Sequence, residues 1–155
     1  MKSIQVFFIF VAAMGLSQIT FAKSLDMQLT MKGYNGDGAY VAVYLTDANG
    51  RLVKTLALEG RKKKYQKHLR DWKRAGRGVQ HFDGRTGASL HRNRSKSISV
   101  NIDDKYFDAN YFIHIDTAVE DKRDVPSDVV VPLTSQGVDQ AVSGRGYIKS
   151  FMYRF

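Results

Sequence analysis

The sequence predicts a mostly β protein, an immunoglobulin-like β-sandwich carrying one short basic amphipathic helix. Three observations carry that expectation. Apolar residues alternate with polar ones in short runs, the period of two expected of strands with one buried face. Turn residues separate the runs. Only the stretch from Lys62 to Arg74 has helical spacing of its apolar residues.

The first 22 residues read as a secretory signal and not as part of the fold. Lys2 supplies a positive start, Val6 to Leu16 form an apolar core, and Thr20-Phe21-Ala22 offers small residues where a signal peptidase reads. That apolar run is short of the ~20 residues a membrane span needs. No cysteine follows for lipid attachment. The expected mature chain is one domain, residues 23–155, periplasmic or secreted after cleavage near Ala22 and peripheral to a membrane at most.

Leu25, Met27, Leu29 and Met31 alternate with Asp26, Gln28, Thr30 and Lys32, a strand with one buried face. Val41, Val43 and Leu45 alternate with Tyr40, Ala42 and Tyr44. Asp47-Ala48-Asn49-Gly50 then makes a turn, and Leu52 to Leu58 returns as the second arm of a hairpin. Ile98, Val100 and Ile102 mark a further strand. Asn110 to Asp116, Val129 to Leu133 and Tyr147 to Phe155 bring the expected number to about seven. From Lys62 to Arg74 the residues favour helix, with Tyr65, Leu69 and Trp72 at i, i+4 and i+7 on one face. Trp72 reads as a core anchor there. The segment from Ala75 to Lys96 has few apolar residues and is expected to be a loop, of a length that is usually functional or disordered.

Charge narrows the functional classes. The chain carries 24 Lys and Arg against 15 Asp and Glu, a formal net charge of +9. The excess lies between Arg61 and Lys96; the remainder of the chain is slightly acidic. Lys62, Lys63, Lys64, Lys67, Arg70, Lys73 and Arg74 would form a basic face suited to an anionic partner. Nucleic acid is not expected in an exported protein without RNA-recognition or zinc-finger signatures. The absence of cysteine excludes disulfides and thiolate chemistry. The four histidines, His68, His81, His91 and His114, lack metal-ligand spacing, so no metal site is expected. No G-x-S-x-G elbow supports a serine hydrolase.

Within the basic segment stands Asp83-Gly84-Arg85-Thr86-Gly87-Ala88-Ser89. It resembles the acceptor motif of the bacterial flavin transferases, D-x-x-S/T-G-A-S/T. The resemblance implies that Ser89 receives FMN through a phosphoester bond. Asp83, Thr86, Gly87 and Ala88 would be recognition elements. A separate exported transferase, magnesium-dependent and using FAD as donor, would perform the attachment. The acceptor is usually threonine in this motif; Ser89 offers the same nucleophilic oxygen. The chemistry itself asks for an accessible hydroxyl on small residues, where Gly87 and Ala88 admit a foreign active site. His91, Arg92 and Arg94, with Arg85, would stabilise a phosphate.

A second resemblance spans about residues 25–155. Tyr40 to Leu58 looks like the opening hairpin of an exported family, domain of unknown function 2271. Lys64-Tyr65, Leu69 and Asp71-Trp72 look like its helix, and Tyr111 to Asp116 and Gly144 to Phe155 like its closing strands. The chain departs from that family between Asn101 and Asp108, where the usual Gly-rich turn is missing. This resemblance implies a β-sandwich partnered with a membrane flavoreductase of the PepSY type. The expected function is therefore an exported electron carrier with covalent FMN rather than an enzyme with its own substrate. The alternative is a non-catalytic β-sandwich adaptor whose basic patch binds an anionic partner.

Overall fold

Leu25, Met27, Leu29 and Met31 point into the protein and form the buried face of strand β1 (Ala22–Met31) in the computed structural model, which describes residues 21–77 and 85–155. β1 lies at the centre of a three-stranded antiparallel sheet between β5 (Ser95–Asp103) and β8 (Ile148–Arg154). Ile98 and Ile102 of β5 and Ile148, Phe151 and Tyr153 of β8 join the same core. The residues between them face outward, which is the alternation a half-buried strand requires.

The second sheet has five strands in the order β4-β3-β2-β6-β7. They are β2 (Tyr40–Thr46), β3 (Leu52–Glu59), β4 (Arg85–Gly87), β6 (Phe112–Ala118) and β7 (Val125–Pro132). The β2–β3 hairpin turns where expected. Asp47 Oδ1 accepts from the N–H groups of Asn49 and Arg51, both at 2.9 Å, and Gly50 takes φ 75°. The two sheets stack as a sandwich with the main core between them. Eight strands, not seven, occur among the described residues; β4 is the addition.

Every residue of β2 is buried. Val41, Val43 and Leu45 face the sandwich core, where Ile113 and Ile115 of β6 also lie. Tyr40, Ala42 and Tyr44 face away from it and form a second apolar cluster with Leu58, Leu69 and Ala118. Tyr65 and Trp72 pack against that cluster. The stripe expected on one helix face is thus present, but the helix is not continuous. A 3-10 segment (Lys63–His68) and a short α1 (Arg70–Ala75) meet at Leu69, whose ψ is 76°. The break leaves Leu69 fully buried. It also leaves the Trp72 N–H, in the first turn of α1, facing the sheet.

Two buried carboxylates take up the donors this arrangement produces. Leu69, at the N-cap of α1, has no side-chain acceptor to offer. Asp116 on β6 supplies it instead, accepting the Trp72 N–H at 2.9 Å. Asp116 also accepts from the Tyr44 hydroxyl at 3.1 Å and the Ser127 N–H at 2.8 Å. Its carboxyl is raised above the usual range, because burial outweighs these donors. Asp128 on β7 accepts from the Thr117 hydroxyl at 2.7 Å and from the N–H groups of Gly146 at 2.6 Å and Tyr147 at 2.8 Å. It thereby ties the larger sheet to the chain entering β8. Where a Gly-rich turn is missing after β5, Asp108 and Asn110 adopt left-handed φ of 54° and 59°. Asp and Asn tolerate that conformation better than other side chains.

Removing the Asp116 carboxylate would strand three donors inside the protein. Asp116→Ala is expected to lose at least ~3 kcal/mol of unfolding free energy, and Tyr44→Phe about 1 kcal/mol. Urea unfolding of the two variants checks both figures.

Candidate functional site

β4 is built from Thr86 and Gly87 of the acceptor-like motif together with the backbone of Arg85. It runs parallel to β3, pairing Ala57 with Arg85, Leu58 with Thr86 and Glu59 with Gly87. The Gly60 N–H donates to the Gly87 carbonyl at 3.0 Å. Parallel neighbours need a crossover connection, and here the chain carrying the 3-10 segment and α1 supplies it. The expectation of a loop from Ala75 to Lys96 is corrected to that extent. The edge of β3 has backbone groups to satisfy, and the motif satisfies some of them. Leu90 continues the ordering. It is buried and exchanges backbone hydrogen bonds with Ala39 at 2.7 and 2.9 Å.

Ser89 lies between exposed Ala88 and buried Leu90 and is itself half-exposed. Its hydroxyl rests against Gly38; a Cβ at Gly38 would come within 2.5 Å of Ser89 Oγ. Tyr34 holds this approach in place. Its hydroxyl donates to the Leu90 carbonyl at 2.7 Å and accepts from the Ala39 N–H at 3.0 Å. Tyr34 and the Asn35–Gly38 loop match no functional motif in the sequence, and the glycine spacing is their one local signal. Thr86 is exposed, as are His91, Arg92 and Arg94. Asp83 and His81 lie outside the described residues.

Beneath Gly87 sits Glu59, which is 2% exposed. Its Oε2 has no hydrogen-bond partner. Its Oε1 lies 3.7 Å from Lys96 Nζ, which reaches across from β5 of the other sheet. Burial raises the Glu59 carboxyl, against the opposing effect of Lys96. A Cβ at Gly87 would overlap Glu59 Oε2. A larger residue at this motif position would therefore have to displace the buried Glu59 carboxylate, apart from any recognition role. Nothing in the strand pattern of Leu52 to Leu58 announces a buried acid at its end.

Lys62, Lys63, Lys64, Lys67, Arg70, Lys73 and Arg74 are all exposed, on the crossover covering the outer face of the sheet. Three carry acidic partners: Lys62 with Glu120 at 3.7 Å, Arg70 with Asp124 at 3.0 Å and Arg74 with Asp71 at 3.0 Å. Among the described residues, no ion pair or hydrogen bond joins these seven to Thr86–Ser89. Trp72 is partly buried and donates through Nε1 to Thr55 Oγ1 at 2.9 Å. His114 is half-buried on β6 and stacks on Tyr44 with ring centroids 5.2 Å apart. No helix among the described residues is long and apolar enough to cross a membrane.

The model of the family described as "Predicted periplasmic protein (DUF2271)" matches residues 22–150, and the chain belongs to that family. Neither a curated protein nor a solved structure matches it.

The Glu59 carboxyl has a pH signature. Its pKa is raised in the folded state, so its contribution to stability is present at acid pH and lost as pH rises through that raised value. Glu59→Gln removes the titration. Its unfolding free energy relative to the parent protein should increase from pH 4 to pH 7, as measured by urea unfolding at both. Gly87→Ala should cost about 1–3 kcal/mol by overpacking against Glu59.

Proposed function

We propose that this member of a predicted periplasmic family carries FMN on Ser89 and serves as an exported electron carrier. The placement of the Ser89 hydroxyl carries the reading. Ser89 is half-exposed and follows exposed Ala88 just beyond the β4 edge, with its hydroxyl against Gly38. The residues present fit the group: small, exposed Ala88 precedes the serine, and exposed His91, Arg92 and Arg94 follow it in sequence to receive a phosphate by charge-assisted hydrogen bonds. Ser89 Oγ would displace AMP from FAD, forming one phosphoester bond as the pyrophosphate bond breaks. The hydroxyl proton passes to a base of the transferase. Bound FMN supplies redox chemistry; the chain's part is to hold and position it. Thr86, Gly87, Ala88 and Asp83 would be read by the transferase. In this reading the transferase would meet Thr86 and Gly87 as part of a sheet edge. A membrane flavoreductase of the PepSY type is the proposed electron partner, with the basic crossover docking on its acidic face and raising the encounter rate.

A second reading has its own observation. Lys63, Lys64, Lys67 and Lys73 are exposed and have no acidic partner within ion-pair distance among the described residues. They would suit an adaptor that binds an anionic partner without any cofactor.

Intact mass of the protein exported by a host with an active flavin transferase separates the two. Covalent FMN adds about 438 Da. The expected result is that gain on the parent protein and its complete loss in Ser89→Ala. An unmodified parent beside another substrate modified in the same cells would leave the adaptor. In that case charge reversal at Lys62, Lys63 and Lys64, not Ser89→Ala, would abolish function.

A further inference from the structure

A groove of about 650 Å³ opens on the outer face of the five-stranded sheet, beside the C-terminal end of α1. One wall is the β2–β3 turn, with Arg51. The other is the C-terminal end of α1, with Arg74 and, just beyond it, Arg77. Thr46, His114 and Ser127 line it between them. Leu52 at this groove and Glu59 beside the motif are the two ends of β3, so the groove is a separate place from Ser89.

Four features of the groove bear on what it could bind. Thr46 is 1% exposed, and its hydroxyl has no partner. A buried hydroxyl left unpaired is costly unless something else supplies the hydrogen bond. Arg51 and Arg77 are exposed, and neither guanidinium has an ion-pair partner among the described residues, whereas Arg74 is engaged by Asp71 at 3.0 Å. Asp71 is itself further satisfied by the Ser127 hydroxyl at 2.6 Å, so the groove's one carboxylate is occupied. Ser127 holds a left-handed φ of 48°, a conformation that non-glycine residues rarely adopt outside strained or functional sites. Finally, His114 lines the groove and stacks on Tyr44, and burial lowers its pKa, so its ring is neutral at neutral pH.

We propose that the groove binds a small phosphate monoester carrying a flat ring. Arg51 and Arg77 bind the phosphate from opposite walls, the Thr46 hydroxyl donates to it, and the His114 ring takes the flat group. A tetrahedral oxyanion has acceptor oxygens enough for two guanidinium groups and a hydroxyl, and the arginine fork of donors matches phosphate geometry. The volume is within the range of small-molecule sites.

Calorimetric titration of the purified protein with phenyl phosphate, inorganic phosphate and phenol tests each part. Phenyl phosphate should bind saturably and at least tenfold tighter than inorganic phosphate, and phenol should not bind. Arg51→Glu or Arg77→Glu should weaken phenyl phosphate at least tenfold. Lys149→Glu, the same charge change on exposed β8, should leave it unchanged. Thr46→Val should weaken binding yet raise the thermal midpoint of the unliganded protein, because it deletes an unpaired hydroxyl. A merely structural threonine would not give those opposite signs. No saturable binding at millimolar phenyl phosphate overturns the proposal. So does equal weakening by Lys149→Glu, and equal affinity for inorganic phosphate overturns the role of His114.

Discussion

Asp116 holds to the sheet the crossover that precedes the acceptor-like motif. A six-residue helix in isolation is far below the length that is stable in water, and α1 begins at a leucine that cannot cap it. The sheet provides the cap from outside, through a carboxylate of β6 that also holds Tyr44 and the Ser127 backbone. The cost of burying that carboxylate is visible in its raised pKa. The same group joins β2, β6, β7 and α1, so helix and sheet depend on one another.

From that constraint follows the unusual burial of β2. A strand with both faces buried needs two layers of cover. The second sheet gives one, and the docked crossover, with Tyr65, Leu69 and Trp72, gives the other. The crossover also permits the parallel pairing of β4 with β3, which a tight hairpin could not make. Thr86 and Gly87 come to a sheet edge as a result, and Ser89 comes to rest on Gly38. The motif's small residues therefore answer to packing as well as to chemistry: Gly87 makes room for Glu59.

Charge is arranged on the same plan. The basic residues of the crossover point away from the layer their apolar neighbours bury, as an amphipathic segment should. Acids elsewhere in the chain reach only some of them: Glu120 and Asp124 lie between β6 and β7 and pair with Lys62 and Arg70. The face that remains positive is exposed and contiguous in sequence, which suits long-range attraction better than a buried contact.

Much of the sandwich is legible in the sequence, because a strand's period of two is a local property. Leu25 to Met31, Tyr40 to Leu45 and Ile98 to Ile102 write their buried faces directly, and Asp47 to Gly50 writes its turn. Membership of a predicted periplasmic family covers the same span. The crossover's apolar stripe is legible for the same reason, but its break at Leu69 is not, since an uninterrupted helix and a broken one can share that spacing. Contacts between distant residues have no local signature. Asp116 looks like any acid beside an apolar run until it meets Trp72, and Glu59 looks like the solvated end of a strand until Gly87 lies on it. Strand periodicity, turn chemistry and charge were thus determined by sequence alone. Only tertiary structure decided which acids are buried, that Thr86-Gly87 pairs with β3, and that Tyr34 and Gly38 support Ser89, because each depends on long-range packing that no short window of residues encodes.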